Sequence, residues 1–421
     1  MQLRVARVAS LSGELRPPSD KSLSHRALMF GAIAEGQSLV KNLLGSEDVA
    51  ATRRALNQLG CQFSDSDQGI AVNPAPWHSP EQPIDCGNSG TSMRLLAGLI
   101  ASYPITATLT GDHSLSRRPM RRVTEPLSLM GATIQGETPP LKIEGGDLVG
   151  ITYQTPVASA QVKSAILLAG LRAEGETWVS EPMLSRDHTE RMLRAAGVEL
   201  LAGEHGIGVR GGSRLRAFEF NVPGDISSAA FWMVAAAVVP NAQITLREVG
   251  TNPSRTGILE VFDQAGVRVI LESQTDQLGE PTADLTIRNT DVKPFSISGS
   301  LVPRLIDEIP ILAVLATQAD GVSTIRDARE LRVKESDRIE SVASGLRLMG
   351  AHVETHEDGL SISGPTPLTG ATIEADGDHR IAMAFAIAGL IASGETVING
   401  AETIGSSYPA FVNDLAKLSV L

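Results

Sequence analysis

Six apolar segments recur along the chain, and each is followed by a small turn and a β-like stretch. Segments this apolar predict helices that are buried on most of their faces. Each segment falls well short of the roughly 18–20 apolar residues that a membrane-spanning helix needs. The segments are residues 27–34, 93–101, 162–171, 229–239, 309–316 and 381–392.

A second recurring element is an amphipathic helix that ends in a glycine turn and continues as a strand. The turn glycines are Gly60, Gly131, Gly197, Gly266 and Gly350, and a sixth copy without the glycine ends the chain at 418–421. Six copies in 421 residues give roughly 70 residues each, in the order strand, apolar helix, strand, amphipathic helix, strand, turn, strand. This period fits a ring, a solenoid or two clusters of three units, and periodicity alone does not choose between them.

Polar residues precede the predicted helices, and several of them are cations. Asp, Ser and Asn at these positions are explained by helix capping. A cation at the positive end of a helix is unfavourable by roughly 0.3–1 kcal/mol, so an anionic partner is expected there, because free N–H groups at helix starts bind anions. Local ion pairs within 332–338 are the alternative for that cluster. The cations are Lys21, Arg118, Arg186, Lys334, Arg338 and Arg380.

Composition narrows the classes of function. The formal net charge of −12 disfavours binding to nucleic acid or to an anionic membrane. Cys61 and Cys86 are the only cysteines, so neither a zinc set nor a disulfide framework can be built from them. We therefore expect no metal, a reducing cytoplasmic location and, because the first twelve residues lack a continuous apolar stretch, no secretory signal.

A dinucleotide fingerprint matches at 206–211 but lies in a predicted hairpin with no helix after it. Since the fingerprint requires a strand–turn–helix context, we interpret these residues as turn glycines. Neither a Walker lysine nor a nucleophile elbow was found, and no cofactor is expected. A lone histidine such as His25 is by default structural, whereas His379 is a stronger candidate because Asp378 and Arg380 flank it.

Seven short motifs, in order along nearly the whole chain, resemble those of the 5-enolpyruvylshikimate-3-phosphate (EPSP) synthase family. Any one of them is weak alone, but seven in register are specific. The motifs are DKSLSHR at 20–26, GNSGT at 87–91, RRPM at 117–120, SAQVK at 159–163, RDHTE at 186–190, LRVKESDR at 331–338 and DHR at 378–380.

The resemblance implies an α/β fold of six repeated βαβαββ units that form two pseudo-threefold domains, the inside-out α/β barrel of enolpyruvyl transferases. It implies a discontinuous domain of residues 1–18 and 225–421, with residues 19–224 inserted into it. The active site is expected in the cleft between the domains. Family members are usually monomers, so a monomer is expected.

The resemblance also implies a reaction. The family transfers the enolpyruvyl group of phosphoenolpyruvate to the 5-hydroxyl of shikimate 3-phosphate, with release of phosphate, on the way to chorismate and the aromatic amino acids. Addition followed by elimination passes through a tetrahedral intermediate. Two phosphorylated, carboxylated substrates need fixed cations, the hydroxyl needs a base and the methylene carbon needs an acid.

Site residues follow from the matching motif positions. The implied catalytic residues are Asp307 as base, Glu335 as proton donor, and Lys21. The implied shikimate 3-phosphate ligands are Lys21, Ser22, Arg26, Ser159, Ala160, Gln161, Arg186, Asp307 and Lys334. The implied phosphoenolpyruvate ligands are Lys21, Gly90, Arg118, Gln161, Arg338 and Arg380. Additional site residues are Asn88, Thr91 and His379.

Two other functions fit part of the pattern. A UDP-N-acetylglucosamine enolpyruvyl transferase shares the fold and chemistry but usually carries a reactive cysteine in a stretch corresponding to 112–121, where this chain has none. A non-enzymatic repeat binding module would explain the repeats but not the cations near Asp307 and Glu335. Glyphosate is a candidate inhibitor: Gly90 is the small residue associated with sensitivity, whereas the 159–161 and 186–188 motifs resemble the often tolerant second class.

Overall fold

A computed structural model describes residues 1–420 of the chain. The apolar segments and the amphipathic segments alternate as α-helices in it. The helices are α1 (Lys21–Ile33), α2 (Glu47–Gln58), α3 (Gly90–Ala101), α4 (Arg121–Leu129), α5 (Ala160–Gly170), α6 (His188–Ala195), α7 (Ile226–Val238), α8 (Gly257–Gln264), α9 (Ile309–Ala316), α10 (Arg338–Leu348), α11 (His379–Gly389) and α12 (Phe411–Leu418). Short 3-10 helices cover Leu115–Arg117, Gly299–Arg304, Arg329–Val333 and Ala401–Ser406.

The strands are short and follow the helices in a regular order. They are β1 (Gln2–Ala6), β2 (Ser10–Leu15), β3 (Ala34–Glu35), β4 (Ser38–Lys41), β5 (Gln62–Ser66), β6 (Gly69–Asn73), β7 (Ile84–Asp85), β8 (Thr106–Thr110), β9 (Thr133–Gln135), β10 (Leu141–Glu144), β11 (Thr152–Gln154), β12 (Glu176–Ser180), β13 (Leu200–Gly203), β14 (Gly206–Arg210), β15 (Leu215–Arg216), β16 (Glu219–Asn221), β17 (Gln243–Gly250), β18 (Val269–Gln277), β19 (Glu280–Arg288), β20 (Ser296–Ile297), β21 (Gly321–Ile325), β22 (His352–His356), β23 (Gly359–Gly364), β24 (Thr372–Glu374), β25 (Glu395–Asn399) and β26 (Ser419–Val420).

The sheets repeat one pattern, in which a parallel strand pair is extended by antiparallel strands. The order β7-β8-β10-β9 has β7 parallel to β8 and the remaining neighbours antiparallel. The same pattern holds for β11-β12-β14-β13, β16-β4-β6-β5 and β20-β21-β23-β22. The predicted hairpin is confirmed as β13 and β14, but Gly206 and Gly208 are strand residues of β14, and only Gly211 lies in a turn.

The sheet of the last repeat combines strands from the N-terminal and the C-terminal parts of the chain. Strand β24 is parallel to β25, and the antiparallel neighbour of β25 is the N-terminal strand β1. Strand β26 follows α12, as the sixth copy predicts, but it pairs with β2 in another sheet. Leu421, the last residue of that predicted copy, lies outside the described residues.

The chain separates into two compact units. One comprises Met1–Pro18, Pro223–Thr275 and Pro281–Leu421, and the other comprises Ser19–Val222 with Asp276–Glu280. The second crossing therefore falls two residues before the predicted one. The tip of the β18–β19 hairpin also groups with the inserted unit, because Glu280 is buried there against His188, which pattern reasoning did not anticipate.

Each unit has its own apolar core around the predicted buried helices. Helices α1, α3 and α5 are buried along nearly their whole length in the inserted unit. Helices α7, α9 and α11 occupy the equivalent place in the discontinuous unit. With helices inside and sheets around them, the polar N-terminal residues of these helices are held in fixed positions. Within residues 1–420, the longest apolar helices fall short of what crossing a bilayer requires.

Candidate active site

Lys21 begins α1 and is held by a carboxylate from the next helix. Its Nζ lies 3.1 Å from Oδ2 of Asp48 in α2, and about a fifth of the lysine side chain is exposed. The helix is capped by Asp20, whose side chain accepts a hydrogen bond from the backbone N–H of Leu23. The cation at this helix start is thus compensated by two carboxylates and still reaches solvent. Ser22 follows in the same turn.

A buried hydrogen-bond chain lies below this first turn. His25 Nδ1 is 2.7 Å from Thr52 Oγ1, which is 2.6 Å from Ser92 Oγ. Burial lowers the pKa of His25 to about 3, because a charged imidazole would be desolvated there. His25 is therefore neutral near pH 7 and has a structural role, as the default interpretation predicts.

The predicted phosphoenolpyruvate ligands of the inserted unit meet where α3 crosses α5. Gln161 accepts a hydrogen bond from Arg94 Nη1 at 2.6 Å and donates one to Thr91 Oγ1 at 2.8 Å. The crossing is close because Gly98 has no side chain: a Cβ there would lie 2.2 Å from the carbonyl oxygen of Ala165. The glycine thus sets the distance at which the two helix starts interact.

Arg118 joins this group through a second amide. Its Nη2 donates to Asn88 Oδ1 at 3.0 Å, and Asn88 Nδ2 donates to Asp112 Oδ2 at 2.7 Å. Gly90 lies close by, since a Cβ built on it would be 2.8 Å from Arg94 Nη1 and 3.4 Å from Arg118 Nη1. The structure therefore brings together Asn88, Gly90, Thr91, Arg118 and Gln161, all predicted site residues.

The predicted shikimate 3-phosphate ligands of this unit lie on two neighbouring segments. Ser159 is the residue before α5 and Ala160 is its first residue, while Arg186 precedes α6. Arg26 differs from them because it is buried, and its guanidinium donates to Thr189 Oγ1, Ser164 Oγ and the carbonyl of Ser22. Burial lowers the pKa of Arg26 to about 10, so it remains charged near pH 7. Its burial favours a supporting position over a direct contact.

In the discontinuous unit, one guanidinium holds three carboxylates. Arg338 is 1% exposed and donates to Glu335 at 2.6 Å, to Asp378 at 2.7 Å and to Asp307 at 3.2 Å. Burial alone would lower the pKa of Arg338, but Asp378, Glu335 and Asp307 raise it. Both carboxylates predicted to move protons are thus fixed on the same cation, and the arginine predicted to bind phosphoenolpyruvate is engaged with them.

The remaining predicted residues of this unit surround Asp307. Lys334 Nζ lies 3.8 Å from Asp307 Oδ1, and Arg380 Nη1 donates to the Asp307 carbonyl at 3.2 Å. His379 is the first residue of α11, and Asp378 caps that helix by accepting from the backbone N–H of Arg380. Three cations and three carboxylates therefore occupy one small region, which can bind an anion and exchange protons with it.

Two of the cations that were predicted to lie at helix starts do not lie there. Arg118 and Lys334 each follow a 3-10 helix, and α4 and α10 begin only at Arg121 and Arg338. The alternative of local ion pairs within 332–338 is confirmed in part: Arg332 bonds Asp337 at 2.7 Å and Arg338 bonds Glu335 at 2.6 Å, whereas Lys334 pairs with Asp307 and Glu330 outside the segment. These cations are therefore placed by loops and neighbouring carboxylates rather than by the first turn of a helix.

Sequence reasoning missed the residues that support the predicted ligands. Arg94 lies one turn after Gly90 on α3, a spacing that could have indicated it. Asp48 had no such signal, because its contact with Lys21 depends on how α2 packs against α1.

A protein-family model described as EPSP synthase (3-phosphoshikimate 1-carboxyvinyltransferase) matches residues 5–415. The chain belongs to the EPSP synthase family. The 3-phosphoshikimate 1-carboxyvinyltransferase of Brevibacillus brevis is 49% identical over 424 residues, covering 99% of this chain and 100% of that protein. The family predicted from the seven motifs is thereby confirmed.

Solved structures agree with the fold. EPSP synthase from Acinetobacter baumannii is 43% identical and superposes with a TM-score of 0.89, over 99% of this chain and 98% of that one. The enolpyruvyl transferase NikO from Streptomyces tendae is 20% identical with a TM-score of 0.80, over 99% and 97% of the two chains, and shares the fold. The predicted α/β enolpyruvyl transferase fold is confirmed, and neither alternative function is favoured.

Proposed function

We propose that this EPSP synthase family member transfers the enolpyruvyl group of phosphoenolpyruvate to the 5-hydroxyl of shikimate 3-phosphate and releases phosphate. One observation carries the proposal beyond family membership. Asp307 and Glu335 are bound to the same buried guanidinium of Arg338, with Lys334 and Arg380 beside them. Two positioned carboxylates among cations suit a reaction that moves two protons between anionic substrates.

The addition step forms one carbon–oxygen bond. Asp307 accepts the proton of the 5-hydroxyl while its oxygen attacks C2 of phosphoenolpyruvate. Glu335 delivers a proton to the methylene carbon C3, which becomes a methyl group. The product is a tetrahedral intermediate that carries both the new ether oxygen and the phosphate on C2.

The elimination step breaks the bond between C2 and the phosphate oxygen, and phosphate leaves with the electron pair. A proton returns from the methyl group to the carboxylate that supplied it, so the C2–C3 double bond is restored. The proton that Asp307 took from the 5-hydroxyl passes to the departing phosphate, so both carboxylates return to their starting states, and atoms and charge balance without a cofactor. Lys21 and the surrounding arginines oppose the negative charge of the departing phosphate.

Binding roles are divided between the two units. Lys21, Ser22, Ser159, Ala160, Gln161 and Arg186 are proposed to bind shikimate 3-phosphate, with Arg26 behind them and Asp307 and Lys334 contributing from the other unit. Lys21 is proposed to contact phosphoenolpyruvate as well, together with Gly90, Arg118, Gln161, Arg338 and Arg380, with Asn88, Thr91 and His379 as supporting residues. Location of the active site in a cleft between the domains stays a prediction, as do the monomeric state and the cytoplasmic location.

A phosphate-release assay tests the function. Purified protein with phosphoenolpyruvate and shikimate 3-phosphate should release phosphate in proportion to enzyme, and either substrate alone should release none. UDP-N-acetylglucosamine in place of shikimate 3-phosphate should give no release. Turnover with the nucleotide sugar alone would support the rival transferase, and no turnover with either acceptor would contradict the enzymatic proposal.

Gly90→Ala should weaken the binding of glyphosate more than the binding of phosphoenolpyruvate. The added methyl group would lie within 3.4 Å of two guanidinium nitrogens and so reduce the space beside them. Glyphosate has a longer backbone than phosphoenolpyruvate between its two anionic ends, so it should lose more affinity. We expect its inhibition constant to rise about tenfold, or 1.4 kcal/mol, and the KM for phosphoenolpyruvate to rise less than about threefold.

Steady-state kinetics with both ligands measure this difference. Gly146→Ala is the matched control, because its φ is ordinary and a Cβ there meets nothing within 4 Å. Both constants should keep their parent values in the control. An equal rise of both constants in Gly90→Ala would argue against selective crowding.

A further inference from the structure

A buried charge cluster lies behind the two segments that carry Ser159 and Arg186. Lys163 Nζ in α5 contacts Glu181 Oε2 at 2.9 Å and Glu190 Oε1 at 2.7 Å, and none of the three side chains is more than a tenth exposed. Withdrawing ions from water costs several kcal/mol for each ion before pairing offsets it. The presence of a buried ion cluster is therefore weak evidence that it stabilises the fold. Its hydrogen bonds to other segments indicate a different role.

Glu181 joins two separate segments with one carboxylate. Its Oε1 accepts the backbone N–H of Ser159 at 2.8 Å and the hydroxyl of Ser185 at 2.7 Å. The same hydroxyl also lies 2.8 Å from Oε2, which accepts the Ser185 backbone N–H at 3.3 Å. With Lys163 on Oε2 as well, the roughly four acceptor positions of a carboxylate are in use.

The segment between Glu181 and Ser185 depends on this carboxylate. Pro182, Met183 and Leu184 are exposed, and Leu184 is 86% exposed, so apolar contacts contribute little to fixing the segment. Arg186 follows directly after Ser185. Without the bonds to Glu181, both the start of α5 and the approach to α6 would have more conformations available to them.

The buried carboxylates Glu181 and Glu190 lie near a predicted phosphate site, and nearby cations balance their charge. Burial alone would lower the pKa of Lys163, but Glu190 and Glu181 raise it above its usual value, so the lysine remains charged. Arg26, tied to α5 through Ser164 and to α6 through Thr189, supplies the second cation. Within this group of four side chains, two cations offset two carboxylates.

We propose that Glu181, held by Lys163, is a positioning residue that fixes Ser159 and Arg186 for the phosphate of shikimate 3-phosphate. This inference rests on the proposed function. Glu181 does not touch the substrate; it acts by fixing donors before the phosphate arrives, which lowers the entropy lost on binding. Its effect should therefore fall mainly on shikimate 3-phosphate, because Gln161, which is proposed to contact both substrates, is also held by Arg94 and Thr91 of α3.

Glu181→Gln tests the proposal, because the amide retains the shape but weakens its bonds to Ser159, Ser185 and Lys163. Calorimetric titration with shikimate 3-phosphate should show its Kd raised about tenfold or more. The KM for phosphoenolpyruvate should stay within about twofold of the parent. Glu176→Gln is the control, since Glu176 lies on the adjacent strand β12 and pairs with Arg210 at the surface at 2.9 Å. Its constants should not change.

Ser185→Ala provides a second variant that disturbs the buried charges less. It deletes only the hydroxyl bonded to Glu181 and should raise the Kd for shikimate 3-phosphate about threefold, with a melting temperature close to that of the parent. This variant decides the question if Glu181→Gln does not melt cooperatively. Equal rises in the constants for both substrates, or no change in either variant, would overturn the positioning role. If the parent itself does not bind shikimate 3-phosphate, the proposed function fails and the inference fails with it.

Discussion

Arg338→Met should lower the free energy of unfolding by about 3–5 kcal/mol, the range found when one partner of a buried ion pair is removed. Methionine is close in length but cannot donate hydrogen bonds. Asp378, which is fully buried, would lose the guanidinium that now lies 2.7 Å away, so that its burial costs free energy whether it stays charged or takes up a proton. Asp307 and Glu335 would lose their shared donor as well, so turnover should fall below detection.

Urea unfolding followed by circular dichroism measures the change in stability. Arg347→Met is the control on the same helix, α10: Arg347 is exposed and 3.7 Å from Glu340, so the expected loss is below about 1 kcal/mol. A loss of similar size in both variants would mean that the three carboxylates do not depend on Arg338.

The destabilisation by Arg338→Met should also depend on pH. Burial alone would raise the pKa of Asp378, but Arg338 and His379 hold it below its usual value. A lowered folded-state pKa gives stability that is complete above the unfolded-state pKa, about 4, and is lost as the pH falls through the folded value. The difference in free energy of unfolding between the parent and Arg338→Met should therefore become smaller below about pH 4.

Lys21→Ala should reduce kcat at least about 100-fold, which corresponds to about 2.7 kcal/mol at the transition state. Lys21 is proposed to contact both substrates, and Asp48 holds its ammonium group where part of it reaches solvent. Because the lysine lies at the start of a helix and outside the apolar core, the variant should fold. The phosphate-release assay at saturating substrate, together with thermal melting, measures both properties.

Lys142→Ala is the matched control for this experiment. Lys142 lies in the same unit and pairs with Glu144 at 2.6 Å, but its side chain is nearly half exposed and it carries no predicted role. Turnover of the control should equal that of the parent. Activity of Lys21→Ala within about threefold of the parent would remove Lys21 from the proposed site.

Local patterns in the sequence were sufficient to predict much of the fold. The apolar segments became the buried helices because burial of an almost wholly apolar helix leaves few alternatives, and glycine turns such as Gly131 and Gly197 adopt the positive φ that only glycine adopts easily. The N-terminal strand β1 was not predicted to complete the last copy, since its pairing with β25 joins residues at opposite ends of the chain.

The residues proposed to bind the substrates were predicted by motif resemblance, but the residues that hold them in place were not. Arg94, Asp48 and Glu181 act through contacts that arise only when helices and loops pack, such as the α3–α5 crossing at Gly98. The wrong starts of α4 and α10 have a similar cause. A 3-10 turn and the first turn of an α-helix have nearly the same local pattern, so sequence alone does not separate them.

The pairing of β1 with β25 determines the order in which the protein can be completed during translation. Residues 19–222 are all synthesised before β25, so the inserted unit can fold while the ribosome is still making its host. At about 5–20 residues per second, roughly 20–80 s pass between the synthesis of β1 and that of β25. During this time β1 lacks the strand with which it pairs. Strand β1 is therefore exposed to mispairing until β25 has been made.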